Sequence, residues 1–383
     1  MKPLTVTLYG QFNGHWSNAG VSRGLAAGLR ANGVALKLVG EQGLYECLWT
    51  LPRHVARKPP DMELCASVPQ SEGIGMYVGY PARATALQGH PIKVGAFICE
   101  SEILPADWGV VARSCDLVVV PSAWVKYAYL AAGVLPERLL VVPHGLHPVY
   151  QQVSPAVGVH ELAGLSFLHV AGARDFIDRK GTLALIEAFA HVFDPASGTM
   201  RQQKALLVIR TPPSSVLVEA VRATRAPYLF HFDWHEAALP PERMHDYLSR
   251  GDWAAVIQPS RAEAFGIVPV EARAMGIPVI QTKCSGHAAH AEDWDLEIES
   301  GAVGPIAVQG IPNGVAPTVP VDSIIVALQR FVLKANERKS DARLRAGGYA
   351  RKYNWADLTA PLVKRLRELA HGGRTLAGRT VGR

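Results

Sequence analysis

Short apolar runs alternate with longer amphipathic stretches along almost the whole chain. The runs fall at Leu4–Tyr9, Val34–Val39, Gly75–Val78, Val94–Ile98, Leu117–Val120 and Leu139–Val142, then again at Phe167–Val170, Leu206–Ile209, Tyr228–Phe232, Ala254–Ile257 and Pro278–Gln281. Brief apolar runs bounded by turn residues predict buried strands, and helical stretches between them predict right-handed crossovers in parallel sheets. Between the two sets lies VVPHGLHPVYQQVSPAVG, whose prolines and glycines predict a hinge from about Pro143 to Gly164. Two doubly wound α/β domains result. Helical periodicity returns near Val321–Lys334 and Trp355–Ala370, after the last strand.

Composition adds bounds. A chain of 383 residues can bury two cores, and 49% hydrophobic with 19% charged residues is ordinary for an α/β enzyme. No uncharged apolar stretch approaches ~20 residues, and MKPLTVTLYG runs directly into a strand, so neither a membrane span nor a signal peptide is expected, and a cytoplasmic protein is. The five cysteines, Cys47, Cys65, Cys99, Cys115 and Cys284, form an odd set without a Cys-x-x-Cys pair and read as reduced and structural. From Arg330 onward 14 Lys and Arg face 4 Asp and Glu, so the net charge of +6 is a property of the carboxyl-terminal part. A solvated helix face with a flexible tail, HGGRTLAGRTVGR, explains it; so does attraction to an anionic surface, either phospholipid or nucleic acid.

The candidate chemistry concentrates in PSRAEAFGIVPVEARAMGIPVI, Pro259 to Ile280. Gly266 breaks the segment between a strand end and a helix start, which places Glu263 before the helix and Glu271 inside it. A glycine there lets backbone approach a ligand, and the unpaired amides of a first helical turn attract phosphate or diphosphate. Carboxylates beside such a site are suited to accepting hydrogen bonds from sugar hydroxyls flanking the diphosphate. That geometry describes a nucleotide sugar. The alternative is a helix cap at Glu263 and a solvated helix face at Glu271.

FLHVAGARDFIDRKGTLALIEAFA, upstream, reads as a strand, a basic loop and an amphipathic helix starting at Thr182 after Gly181. Cations at the carboxyl end of a parallel strand suit an anionic ligand. Elsewhere, GQFNGHWSNAG carries glycines that do not fit a dinucleotide fingerprint. GAFICESEILPADW carries Glu100 and Glu102 at a strand end, where either could orient an acceptor hydroxyl or cap the helix near Pro105. His287 and His290, with Asp293 and Asp295, raise the question of a metal, but ligands on a loop need a convergence that sequence cannot show, and cations with a helix terminus already serve the phosphate role. No metal is expected.

EAFGIVPVE resembles the glutamate, seven residues, glutamate signature of retaining GT-B glycosyltransferases, in particular family 4, the group 1 glycosyl transferases. The resemblance implies a GT-B fold: two Rossmann-like domains facing across a cleft, with a carboxyl-terminal helix, here KYNWADLTAPLVKRLREL, crossing back to the first. The expected division is 1–155 as the acceptor-side domain with about 355–371 packed on it, 156–354 as the nucleotide-sugar domain, and 372–383 as a basic tail. In the family pattern an Arg and a Lys neutralise the donor diphosphate, and they fall on Arg174 and Lys180, though Arg179 could trade roles with either. The resemblance implies that the donor is held by Ala264, Phe265, Gly266 and Ile267, with Glu263 on the sugar and Glu271 on the ribose. Gly14, His15 and Asn18 lie where the family's glycine-bearing loop faces the donor phosphates, and His287 lies near the donor sugar. The family's acceptor-side histidine has no clear counterpart.

The resemblance implies transfer from a nucleoside diphosphate sugar with retention and no other cofactor, by a front-face route without a protein nucleophile. A glycan or glycolipid is the expected acceptor. Two alternatives are the same donor chemistry on hydroxymethylated DNA, for which the carboxyl-terminal charge is the support, and a non-catalytic nucleotide-sugar binder.

Overall fold

The computed structural model describes residues 4–14, 17–40, 73–151, 164–172, 177–235, 239–308 and 311–377. Backbone contacts divide it into two compact units. One comprises Met1–Cys99, Ile103–His147 and Tyr353–Arg383; the other comprises Glu100–Glu102 and Pro148–Lys352.

In the first unit, strands β1 (Thr5–Gly10), β2 (Ala35–Gly40), β3 (Ile74–Gly79), β4 (Ile92–Phe97), β5 (Leu117–Val120) and β6 (Leu139–Val141) form one parallel sheet in the order β2-β1-β3-β4-β5-β6. β5, LVVV, is buried at every position, as a parallel strand covered on both faces must be. Helices α1 (Ser17–Ala31), α2 (Ala106–Arg113) and α3 (Ala123–Ala131) belong to the same unit. The last helix of the chain returns to it. Leu362, Val363 and Leu366 enter the same core as Val6, Leu8 and Leu25. Asn32 fastens that crossing by donating from Nδ2 to the Ala356 carbonyl at 2.7 Å. The ring of Trp355 lies where a side chain on Gly24 of α1 would stand.

The second unit repeats the plan. β7 (Leu165–Val170), β8 (Ala205–Thr211), β9 (Phe230–Trp234), β10 (Trp253–Gln258), β11 (Val279–Thr282) and β12 (Leu296–Ile298) pair in parallel in the order β12-β11-β10-β7-β8-β9. α4 (Thr182–Phe193), α5 (Ser215–Ala223), α6 (Pro241–Arg250), α7 (Ile267–Ala274), α8 (Val321–Val332) and α9 (Ala335–Lys352) accompany it, before α10 (Trp355–Ala377) returns to the first unit. A cluster of aromatic rings, Phe167, Phe189, Phe193 and Phe331, fills the core between the sheet and α4 and α8. An antiparallel hairpin, β13 (Val303–Val308) with β14 (Ile311–Pro317), stands apart from the sheet.

The strand order has a functional consequence. β7 neighbours β8 on one side and β10 on the other, so chain connections diverge between β7 and β10. Open parallel sheets bind ligands outside the carboxyl ends of the strands at that divergence. The two loops that meet there are the basic loop after β7 and the glutamate-bearing loop after β10.

β12, the hairpin and α9 are additions to the sequence-based expectation. Residues 152–163 of the expected hinge, Arg174, His15, Cys47, Cys65 and the chain after 377 lie outside the described residues.

Candidate active site

Gly181 and Gly266 begin the two helices that border the divergence. Gly266 precedes α7 with φ of 84°, a left-handed conformation that side chains disfavour. The first-turn amides of α7, those of Ile267 and Val268, thus follow a turn made of Ala264, Phe265 and Gly266, the first two buried. Gly181 has φ of 66°, and a Cβ on it would lie 2.1 Å from the Pro259 carbonyl oxygen. That contact brings the loop after β7 against the loop after β10. Gly181→Ala should therefore destabilise the protein by more than about 1 kcal/mol, through strain and clash together. Gly33, with φ of 76° and open space around it, supplies the control for strain alone. Urea unfolding of both alanine variants measures the difference.

The loops also join through charge. The two carboxylate oxygens of Glu263 divide between two cations: Oε1 accepts from Lys180 Nζ at 2.5 Å, and Oε2 faces Arg179 Nη1 at 3.1 Å. Arg179 also donates to the Ala262 carbonyl at 2.6 Å. Burial would raise the Glu263 carboxyl, but Arg179 and then Lys180 outweigh it and hold it well below the ordinary carboxylate range. Burial pulls the Lys180 ammonium down, and Glu263 opposes that pull. Glu263 itself is fixed by the loop after β11, since its N–H donates to Ser285 Oγ at 3.1 Å and its carbonyl accepts from the Gly286 N–H at 2.7 Å. Three loop ends thus converge on one residue.

Behind Lys180, His169 on β7 is fully buried and hydrogen-bonded at both ring nitrogens. Nδ1 must donate to the Ile257 carbonyl at 2.9 Å, which leaves Nε2 to accept from Thr182 Oγ1 at 2.9 Å. Burial lowers its pKa to about 4, so a neutral ring holds the start of α4 against β10.

His287 flanks Gly266 on the other side. Its ring stands where a Cβ on Gly266 would be, with Cδ2 at 2.4 Å from that point. Thr282 spends its hydroxyl proton on the Ser260 carbonyl at 2.6 Å, so the contact with His287 Nδ1 at 3.3 Å requires the ring to donate. Nε2 is then the acceptor nitrogen, and it lies beside Gly266. Burial, countered in part by Glu263, lowers the His287 pKa to about 3, which keeps it neutral.

Glu271 lies within α7 and is half-buried. Burial pushes its carboxyl up to about 8, although the nearby Tyr150 hydroxyl favours the ionised form. Tyr150 is 2% exposed, and its hydroxyl completes no well-formed hydrogen bond among the described residues.

Glu100 and Glu102 belong to the second unit by contact. Glu100 is close enough for its charge to favour the Lys180 ammonium, while the Glu102 N–H donates to the Val315 carbonyl of β14 at 3.0 Å. Ser101 between them is buried and receives the Val315 N–H at 3.1 Å. Arg261 ties the hairpin to the loop after β7, donating to both oxygens of Asp178 at 2.8 and 2.9 Å and to the Pro305 carbonyl at 2.7 Å. In the first unit, Gly14 and Asn18 follow β1, where Arg23 clamps the loop by donating to the Phe12 and Gly14 carbonyls at 2.8 and 2.7 Å. No group of three or more His, Cys, Asp or Glu side chains converges as a metal site among the described residues. His290 and Asp295 instead serve Arg273, a residue for which sequence alone suggests no role.

Whole-chain comparison places this architecture. Sucrose-phosphate synthase from Thermosynechococcus elongatus superposes with a TM-score of 0.65 at 14% identity, covering 96% of this chain and 100% of that one. Anabaena Alr3699/HepE in complex with UDP-glucose superposes with a TM-score of 0.63 at 14% identity, covering 95% and 100%. WaaG, a glycosyltransferase involved in lipopolysaccharide biosynthesis, gives a TM-score of 0.59 at 14% identity, covering 95% and 99%. The fold is GT-B, two Rossmann-like units with the last helix returned to the first. Residues 174–305 match the family of glycosyl transferases group 1. No curated protein sequence matches it. No helix among the described residues is long and apolar enough to cross a membrane.

Proposed function

We propose that the chain transfers a sugar from a UDP- or GDP-sugar to a hydroxyl of a glycan or glycolipid, with retention at the anomeric carbon. The observation that supports this best is the junction of Lys180 and Glu263 beside the Gly266 turn, at the divergence of the sheet. Negative charge accumulates on the diphosphate as the sugar departs. Lys180 and the first-turn amides of α7 supply opposing charge fixed before the reaction begins, and Arg174 is the second cation of the family pattern. Glu263 aims Lys180 and retains lone pairs for sugar hydroxyls, and Nε2 of His287, an acceptor, receives another hydroxyl. Glu271 receives the ribose. No side chain in this constellation is placed as a nucleophile, which suits a front-face route in which the leaving phosphate takes the acceptor proton.

The first test is a calorimetric panel of nucleoside diphosphate sugars with product analysis. A donor at about 100 times its dissociation constant should stabilise the protein by roughly 2.7 kcal/mol. A panel without a binder, or binding with transfer that inverts the anomeric carbon, overturns the proposal.

The Glu271 carboxyl gives a pH prediction. Held up at about 8, it keeps its proton at neutral pH, whereas a ribose diol is best accepted by the carboxylate. Donor binding should release a proton and tighten about tenfold between about pH 7 and pH 9. Glu271→Gln should flatten that slope. Calorimetry in buffers of different ionisation enthalpy reads both effects.

A further inference from the structure

A continuous set of buried contacts runs along the outside of α7. Arg273, in its last turn, is completely buried. Its Nε and Nη2 grip Asp295 at 2.8 and 2.5 Å in a bidentate pair, and Asp295 Oδ2 also accepts the Glu292 N–H at 2.8 Å. Nη1 is turned the other way, to His290 Nδ1 at 3.1 Å and to the Tyr349 hydroxyl of α9 at 3.2 Å. His290, 1% exposed, then reaches the Phe265 carbonyl from Nε2 at 2.8 Å.

The chemistry of the partners fixes every proton in this chain. Arginine only donates, so His290 Nδ1 must accept. A neutral imidazole with Nδ1 as acceptor carries its proton on Nε2, and that proton can only point to Phe265. Burial and the Arg273 charge both keep the ring neutral, so the assignment holds across physiological pH. The Phe265 ring meets the His290 ring edge to face at 4.9 Å, and the His287 ring meets it at 5.6 Å, so His290 is also braced sideways.

Phe265 is the residue before Gly266. We infer that His290 is a positioning residue for the anion-binding turn: by holding the Phe265 carbonyl against the end of α7, it fixes the direction in which the Gly266, Ile267 and Val268 amides point. The geometry closes a loop, because the last turn of the helix, through Arg273, orients the ring that anchors the residue preceding its first. Without the His290 donor the Phe265 carbonyl loses this hold on its peptide plane, and the Gly266 amide, in the same plane, loses it too. The role rests on the nucleotide-sugar reading for its ligand but not for its geometry.

The test compares His290→Phe, which keeps a ring without nitrogen, with His290→Gln, whose amide supplies a donor near the Nε2 position and an acceptor for Arg273. UDP affinity by calorimetry and hydrogen exchange of the peptide spanning residues 265–271 are measured on both. The Phe variant should weaken UDP about tenfold, the order expected for one lost buried hydrogen bond, with faster exchange confined to that peptide, and Gln should restore most of both. Wild-type UDP affinity and exchange in the Phe variant would overturn the inference. So would a Gln variant as impaired as Phe, or exchange that rises uniformly across the second unit. If the Phe variant does not fold, His290→Asn, whose amide is too short to reach Phe265, replaces it and should behave as described for Phe. A wild-type protein that binds no UDP or other nucleoside diphosphate defeats the functional reading alone, because the exchange comparison still decides the brace.

Discussion

Asp295→Ala is expected to destabilise the second unit by about 3–5 kcal/mol, the cost of leaving one member of a buried ion pair without its partner. Both side chains of the pair are wholly excluded from solvent. The guanidinium cannot shed its proton in response, so the orphaned charge at Arg273 must draw in water or distort α7 and α9. A buried pair of this kind is nonetheless weak evidence of net stability, because taking two charges out of water costs about as much as their attraction returns. Burial pushes the Asp295 carboxyl above its ordinary range, and Arg273 offsets that only in part. The double replacement Arg273→Met with Asp295→Leu should therefore recover most of the loss, even though each single change is severe. Urea unfolding of the three variants decides it. A single variant within about 1 kcal/mol of the parent would show that the site admits water without difficulty. The double variant should also release the His290 brace, so recovered stability without recovered UDP affinity is the combined expectation.

That network marks the boundary of what the sequence discloses. Glu263, Gly266 and Glu271 were legible because their relation is local: a strand end, a glycine and a helix start follow one another in a single segment. Lys180 was legible because the basic loop follows the first strand of its half. The long β-strands were legible for the same reason, since an apolar run such as LVVV or WAAVIQ needs no partner to be recognised. Arg273 could not be read in this way. It sits between Ala272 and Ala274 in a stretch that suggests a solvated helix face, and its partners come from the loop before β12 and from α9, with Tyr349 76 residues away. Asp295 and His290 were noticed, but as members of a metal question. The helix α9 escaped because ANERKSDARLRAGGYARK buries only Ala342, Tyr349 and Ala350, too few to impose a helical period on the pattern. β12 is three residues long, and the hairpin carries prolines and glycines that argue against strands.

The division of labour at the Glu263 junction also had to come from geometry. Sequence spacing put a carboxylate near two cations without saying which faced it. In the fold both Arg179 and Lys180 do, one on each oxygen, which makes Arg179 the more buried, structural partner and Lys180 the one with hydrogens to spare. Arg179 donates to the Ala262 backbone as well, so its direction is set from two sides.

Lys180→Ala should accordingly lower kcat at saturating donor by about a hundredfold to a thousandfold, the usual consequence of removing one preorganised donor from a departing oxyanion. The donor dissociation constant should move far less. On the proposed reading the ground-state diphosphate keeps the α7 amides, whereas the extra charge of the transition state is what Lys180 answers. The variant should fold, because Glu263 retains Arg179 and its two backbone anchors. Lys180→Arg should not rescue it fully: the Glu263 oxygen receives a compact ammonium at 2.5 Å, and a planar guanidinium presents its charge in a different place. Steady-state kinetics over a donor series, beside calorimetric donor affinity, separates the terms. A variant with normal kcat and a raised KM would assign Lys180 to uniform binding and return the leaving-group role to Arg174. Glu263→Gln gives the complementary result. It removes the charge that counters the burial of Lys180, so the ammonium should lose its proton more readily, and activity in this variant should fall off toward high pH where the parent's does not.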